Sequence, residues 1–521
     1  MKTGTGAGPN PAWNQQLELN FRPQKNDLSP EAMARVQDCL HLHLFDQVCV
    51  DLLEDERERS SRVHQRLENK WLGSLAIPFS SLYQNTRIEG TFRLHSPAVL
   101  LGYERLGTAA TQAGWRPGTP TEGGHGVEKD ATYLNIYLTI QPALHVPEPV
   151  REKLDSEETE SALAAAERWE ESVRAVAGRR AVSPLVLDTQ GRSVLLSRYL
   201  RPLAPPSSVL AREEPGQQQA EAVAWFVSLL PYTASNAFFP GLRDVWPTSD
   251  QFLKMMLGTE AEHAVLLTNY MSGLGRTAYL VLGRGVPEGT TAYCLTVEET
   301  GEHWLWNAVT GEHFTVTETF LPLSSVSCVA NSTNVWGNLQ PAEQPQRLRW
   351  HLATAADWLP LFPGPAPSLV SVQPEQLSLS APDPRAARQL REKIEKMLRD
   401  SIMNLRRRAG LRTALNFQGK AVLGKLLPGL EAGRLSQGGG RGLSQEHLAE
   451  LQRIAASHKV QGFPLHFPYS DLEAISEAVR GTGVHLSREP GVEFALAVQV
   501  EAYPGTAMSV WVYVASLVRR R

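Results

Sequence analysis

Leu257-Gly258-Thr259-Glu260-Ala261-Glu262-His263-Ala264-Val265-Leu266-Leu267-Thr268-Asn269-Tyr270 is an apolar helix that starts just after a glycine. Two strand-like runs come next, Arg276 to Leu282 and Thr291 to Val297, and a third, His303-Trp304-Leu305-Trp306-Asn307, ends the unit. β-Branched and aromatic residues at period two mark the runs as strands, and the helix before them is dense enough in apolar residues to be buried.

Helix, strand, strand, with Gly-x-x-x-x-His-Ala at the helix start, resembles the core of the transglutaminase-like (papain-type thiol protease) fold. That resemblance implies a cysteine opening the helix, where the N-terminal N–H groups and the dipole lower a thiol pKa. A histidine and an Asp or Asn on the next strands complete the triad. By the resemblance the nucleophile position falls on Glu260, the base position on Thr291 and the orienting position on Asn307. A carboxylate cannot replace the thiolate, and threonine cannot take its proton. The unit therefore reads as a catalytically dead copy, and His263, Tyr293 and Trp306 become candidates for lining a retained peptide groove. A relocated nucleophile is the competing reading: Cys294 lies between His263 and His303 in sequence. A buried strand cysteine is the commoner case.

With 521 residues, 42% hydrophobic and 20% charged, and a formal net charge of −4, the chain has the composition of a multidomain globular protein. No basic excess points to nucleic acid. Four cysteines (Cys39, Cys49, Cys294, Cys328) are too few and too scattered for a disulfide framework or a zinc site. No apolar run approaches the roughly 20 residues of a membrane span, and there is no signal-peptide pattern, so a cytoplasmic location is expected. No cofactor is expected.

Residues 9–142 read as all-β. Leu17, Leu19 and Phe21 alternate after Pro9-Asn10-Pro11-Ala12-Trp13-Asn14; Leu40 to Asp46, Trp71 to Pro78 and Tyr133 to Ile140 are further strands. His41 and His43 read as solvent-facing strand residues. Between these strands, Asp51 to Glu68 is a charged helix or loop, and residues 104–130 a Gly-, Thr- and Pro-rich loop. The Asn-Pro-x-Trp-Asn, Leu-Phe-Asp and Trp-Leu-Gly-x-x-x-Ile-Pro motifs, in that order, resemble the second half of a C2 domain. The resemblance implies three further strands, so the sequence reads as starting inside that domain. Calcium needs several oxygen ligands on adjacent loops. Here Asp46 is a lone acid, with Gln47 and Val48 after it, and no metal site is expected.

Residues 147–219 read as a helical linker, with Glu148 to Ala177 a charged helix separating the β domain from the peptidase-like core, a hairpin around Gly191, and a Pro-rich stretch from Pro202 to Gln219. Ala220 to Leu230 is an apolar helix, and Ser249 or Asp250 is the expected cap of the next. The dead core is expected over residues 220–345. Residues 346–521 are expected to complete it with an amphipathic helix from Arg385 to Arg407, a break at Gly438 to Gly442, a helix capped by Ser444, and a hairpin of Val492 to Val500 and Met508 to Leu517 in the same sheet. Arg406-Arg407-Arg408 read as helix C-terminal cations facing the dipole, and His466 as packing against the hairpin. The fold class is α+β multidomain: a truncated C2 sandwich, a helical linker and a transglutaminase-like domain.

Trp71-Leu72-Gly73, Pro97 to Tyr103, Glu262 to Leu267, Pro287 to Tyr293, Gly462 to Ser470, Phe494 to Val498 and Ser509 to Leu517 together are similar to the C-terminal third of the coiled-coil and C2 domain-containing protein 2 family. That resemblance implies a non-catalytic scaffold of the ciliary transition zone, at the basal body, with proteins of the tectonic-like complex as partners. A calcium-independent C2 surface on phospholipid is the alternative.

Overall fold

The computed structural model describes residues 1–520 except 9, 52–64, 98–99, 101–131, 145–154, 179, 181, 212, 235–244, 365–366 and 435–444. Residues 52–64 of the charged insertion, the 104–130 loop, the start of the linker, the glycine break at 438–442 and the Ser444 cap lie outside the described residues; the insertion's ends, Asp51 and Gln65 to Glu68, are strand and not the expected helix or loop.

In the N-terminal unit, α1 (Pro30–Ala34) precedes β1 (Cys39–Asp51), which pairs antiparallel with β2 (Gln65–Pro78). Helix α2 (Phe79–Asn85) then leads into β3 (Arg87–Arg93), which pairs with β4 (Tyr133–Thr139). The two ribbons close over a small core of Leu75, Ile77, Ile88, Phe92 and Leu94, against which Val286 of the next unit packs. Three of the four expected strands form. The Leu17–Phe21 run forms none: Leu17 and Leu19 are 42% and 57% exposed, and alternation without a partner edge makes no ladder.

The central unit is built on a seven-stranded antiparallel sheet. Its strands are β7 (Thr277–Gly285), β8 (Gly289–Val297), β9 (His303–Trp306), β10 (His313–Thr315), β11 (Leu323–Ala330), β12 (Val335–Asn338) and β13 (Trp358–Pro360), in the order β10-β9-β8-β7-β11-β12-β13. One face packs on α7 (Glu260–Gly273), behind which lie α5 (Gln217–Ser228) and α6 (Ser249–Met255). The other face holds Val281, Tyr293, Leu295, Leu305 and Trp358.

The linker is part of this core and not a spacer. Helix α3 (Glu160–Ala177) begins at Glu160, twelve residues later than expected, behind its Thr159 cap, and buries Ala166, Trp169 and Val173 in the same cluster as α5 and α7; Trp169 Nε1 donates to the Leu359 carbonyl of β13 at 2.9 Å. The small hairpin β5 (Leu185–Leu187) and β6 (Ser193–Leu195) joins that cluster. So does Leu203, in the Pro-rich stretch, which also contains the short α4 (Ser207–Leu210). The cap of α6 is Thr248, one residue before the expected Ser249, and it forms a capping box with Gln251.

The C-terminal unit has its own four-stranded sheet, in the order β14-β16-β17-β15, from β14 (Ala414–Leu415), β15 (His458–Pro468), β16 (Glu493–Ala502) and β17 (Met508–Arg519). The expected hairpin β16–β17 therefore forms, but not in the seven-stranded sheet of the peptidase-like core. The hairpin's two outer edges are paired with β14 and β15, and both of its faces are covered by helices. Val510, Val512 and Val514 face Ile394, Leu398 and Ile402 of α8 (Pro384–Arg408), whereas Trp511, Tyr513 and Ala515 face Leu423, Leu427 and Leu430 of α9 (Phe417–Arg434) and Leu451 of α10 (Gln445–Ser457). Helix α11 (Leu472–Gly481) adds Ile475 and Val479 to the α8 side. Arg406 is not a surface cation facing the helix dipole. It is 2% exposed, donates to the carbonyls of Arg412, His485 and Ser487, and lies over the Phe494 ring at 4.6 Å.

Glu431 joins the two larger units. It is 7% exposed and accepts from Trp225 Nε1 of α5 (3.1 Å), the Tyr503 hydroxyl (2.5 Å), the Ser509 hydroxyl (2.6 Å) and Trp511 Nε1 (2.5 Å). His466 sits against the Trp225 and Trp511 rings and bonds Ser509 through Nε2 at 3.0 Å, a packing role as expected. Glu431→Ala strands these buried donors, and the expected loss is about 3 kcal/mol or more, read as a lower urea midpoint than that of Glu431→Gln.

Candidate functional site

The site is the start of α7, where a thiol protease would carry its nucleophile. Thr259 caps the helix and closes a reciprocal capping box with Glu262. Gly258 is required just ahead of it: a Cβ there would stand 2.5 Å from the Phe252 ring. Glu260 is the first helical residue. Its carboxylate shares a polar cleft of about 40 Å³ with Tyr232, Glu288, Thr290 and three residues of α2, Ser80, Ser81 and Gln84. That volume holds water and excludes a peptide.

The Tyr232 hydroxyl donates to Glu260. Burial pushes the Glu260 carboxyl up to about 8, with Glu288 adding like-charge repulsion. Burial likewise pushes Glu288 up to about 7, and its Oε2 is buried with no hydrogen-bond partner. Asn307 bonds Glu288, donates to the Tyr293 hydroxyl at 3.0 Å, and accepts the Val309 and Thr310 N–H groups with its Oδ1. The structure thus connects Glu260 and Asn307 through Glu288.

Thr291 stands beside Glu288: a Cβ at Gly285 would lie 2.7 Å from Glu288 Oε2 and 3.0 Å from Thr291 Cγ2. Ala292 and Cys294 pack in the cluster that contains α7, whereas Tyr293 and Leu295 pack on the opposite face of the sheet. Strand alternation puts Thr291 with Tyr293, and Thr290 on the cleft. Glu288 and Tyr232 were missed because neither carries a local signal. One sits in a turn and the other 28 residues ahead of Glu260, and only the fold joins them.

The groove residues do not line an opening. His263 and Trp306 are fully buried and Tyr293 is 1% exposed. The His263 ring nitrogens meet the carbonyls of Thr259 (2.6 Å) and Leu230 (2.9 Å), and burial pulls its pKa down. Trp306 Nε1 donates to the Thr296 hydroxyl at 2.9 Å. Cys294 is buried in the core and burial pushes its thiol up to about 12, away from the thiolate a nucleophile needs. The lone C2 acid, Asp46, stands opposite Lys70 in the β1–β2 ladder.

The cleft is also covered from outside. Asn85, at the end of α2, lies against Gly289 (φ +80°), where a Cβ would meet its amide at 2.2 Å. Two measurements test this geometry. Cys39 and Cys49 are exposed and should react with an aromatic disulfide reagent in the native chain, whereas Cys294 and Cys328 should react only after unfolding. The unfolded carboxyls ionise near 4.3, while Glu260 and Glu288 keep protons up to about 8 and about 7. On unfolding, these two carboxyls release protons between about pH 5 and 8, while His43, His263, His303, His313 and His485, whose pKa values burial lowers, take protons up below about 6.5; above that value the carboxyl release is left alone, and stability is expected to fall as pH rises from about 6.5 to 8 and to level off beyond. Glu260→Gln should flatten this dependence and raise the thermal midpoint at pH 8.

A family profile described as the CEP76 peptidase-like domain matches residues 244–361, and one described as the Centrosomal protein of 76 kDa C-terminal domain matches residues 383–519. These spans fall on the seven-stranded and four-stranded sheet units. The human Protein CC2D2B is 33% identical over 100% of this chain, and the Drosophila melanogaster Coiled-coil and C2 domain-containing protein 2A is 30% identical over 99% of it. The chain covers 35% and 37% of those two proteins, and so spans about a third of the length of the curated relatives it matches. Similarity that runs from end to end across all three units places the chain in the coiled-coil and C2 domain-containing protein 2 family.

Proposed function

We propose that this chain is a non-catalytic scaffold of the ciliary transition zone, working beside tectonic-like complex proteins at the basal body and contributing to cilium assembly and membrane gating. Its peptidase-like unit contributes surfaces and rigidity, and no bond-breaking step. One observation carries the reading: the helix that would present a thiolate opens on Glu260, and α2 of the N-terminal unit sits over the spot. A carboxyl that holds its proton near neutral pH is a poor nucleophile, and no peptide can reach it. The family relationship supports the same reading, since the chain is similar to the named relatives over its whole length.

Localisation of the tagged chain in ciliated cells, against basal-body and axoneme markers, tests it. A ring between the two markers is the expected result, unchanged in Glu260→Ala because no chemistry is at stake. Diffuse cytosolic signal would remove the transition-zone assignment for this part of the family, and loss of the ring in Glu260→Ala with the fold intact would remove the non-catalytic one.

A further inference from the structure

Away from the start of α7, the 3-10 turn Leu196–Tyr199 and the segment after it leave a cleft of about 390 Å³. That is within the size range of small-molecule and peptide side-chain sites. Its walls are Ser197, Arg198, Arg201, Ser332, Leu369 and Ser371. Ser197 is 1% exposed, and its hydroxyl has no hydrogen-bond partner. Buried hydroxyls are nearly always paired, so one left open on a cleft wall is a donor awaiting an acceptor.

The charges around it differ in how firmly they are held. Arg198 donates from Nη1 to Glu158 at 2.8 Å and from Nε to the Val370 carbonyl at 2.8 Å; the Glu158 side chain is 5% exposed, so that charge is neutralised in place. Arg201 meets the Gln373 carbonyl at a long 3.4 Å and Glu375 at 3.3 Å, and the Glu375 side chain is 86% exposed. Solvent screens such a pair, and Glu375 can swing away at little cost. The cleft therefore offers one displaceable guanidinium fork beside an unpaired hydroxyl, with Ser332 also on its wall. Forked guanidinium donors suit phosphate oxygens. The cleft is several times larger than a phosphate ion. Leu369 supplies an apolar wall and Val370, 75% exposed, an apolar rim, which suits the flanking residue of a peptide.

We propose that this cleft binds a phosphorylated serine or threonine side chain of a partner polypeptide, with Arg201 and the Ser197 hydroxyl as its principal donors. Phosphorylation of a partner would then control its attachment to this chain. Such binding does not depend on where in the cell the chain acts.

Calorimetric titration of the full chain with N-acetyl-phosphoserine methylamide, its unphosphorylated counterpart and inorganic phosphate tests it, alongside sedimentation with vesicles containing a phosphoinositide. Expected is binding of the phosphoserine amide, tighter than inorganic phosphate, and none of the unphosphorylated compound. Arg201→Ala should weaken binding by about tenfold or more, with Arg201→Lys in between. Ser197→Ala should weaken it severalfold while leaving the thermal midpoint unchanged or raised, because that hydroxyl surrenders no partner. This second variant keeps the test valid if Arg201→Ala fails to fold. Absence of phosphoserine binding, equal binding by wild type and Ser197→Ala, or capture by vesicles alone would each overturn the proposal.

Discussion

Helix α7 is enclosed on every side, and that enclosure governs the central unit. All ten residues from Glu262 to Met271 are buried, between the sheet on one face and α5, α6 and the Leu203 segment on the others. Gly273 stands so close to the Leu203 backbone that a Cβ would overlap its carbonyl at 1.8 Å. With no water alongside, polar groups on the helix turn to internal partners, the Tyr270 hydroxyl being left without one. Glu262 turns back to Thr259, Thr268 donates to the Ala264 carbonyl, and Asn269 accepts the Arg201 N–H and donates to the Tyr199 carbonyl. The polarity of this helix serves to hold neighbouring segments in register.

The units are joined by polar contacts set in apolar surroundings. Glu431 binds donors from α5, from the loop between β16 and β17, and from β17 itself. On the other side, the β1–β2 ribbon lays Trp71 against Phe463 of β15 at 4.6 Å, with Glu489 taking Lys459 at 2.7 Å and Arg66 at 3.5 Å. Among the described residues no helix is long and apolar enough to cross a membrane.

The sequence carried the local features well and the long-range ones poorly. The helix at Glu260, the three strands after it and the C-terminal hairpin are written in periodicity and caps, and they form close to the expected residues. The hairpin's place in a separate sheet was not legible, because an apolar strand looks the same whichever helices cover it. His263, Tyr293 and Trp306 were read as groove residues from their position in a motif, but burial depends on what packs above, and here that is α5 and α6 or the far layer of the sheet. Thr291 shares a strand face with Tyr293 and stands beside Glu288. Arg406 resembled its two neighbours in the run and differs only through the Arg412 and His485 turns that close over it.

The Glu260–Glu288 pair also alters how much charge the folded chain carries. The formal value of −4 counts every carboxylate as ionised. With these two carboxyls held at about 8 and about 7, the folded molecule in mildly acidic to neutral solution is less negative than its composition states, and part of its buffering lies inside a seam between two units. Above about pH 6.5, where the buried histidines are neutral folded or unfolded, unfolding makes these two carboxyls more anionic.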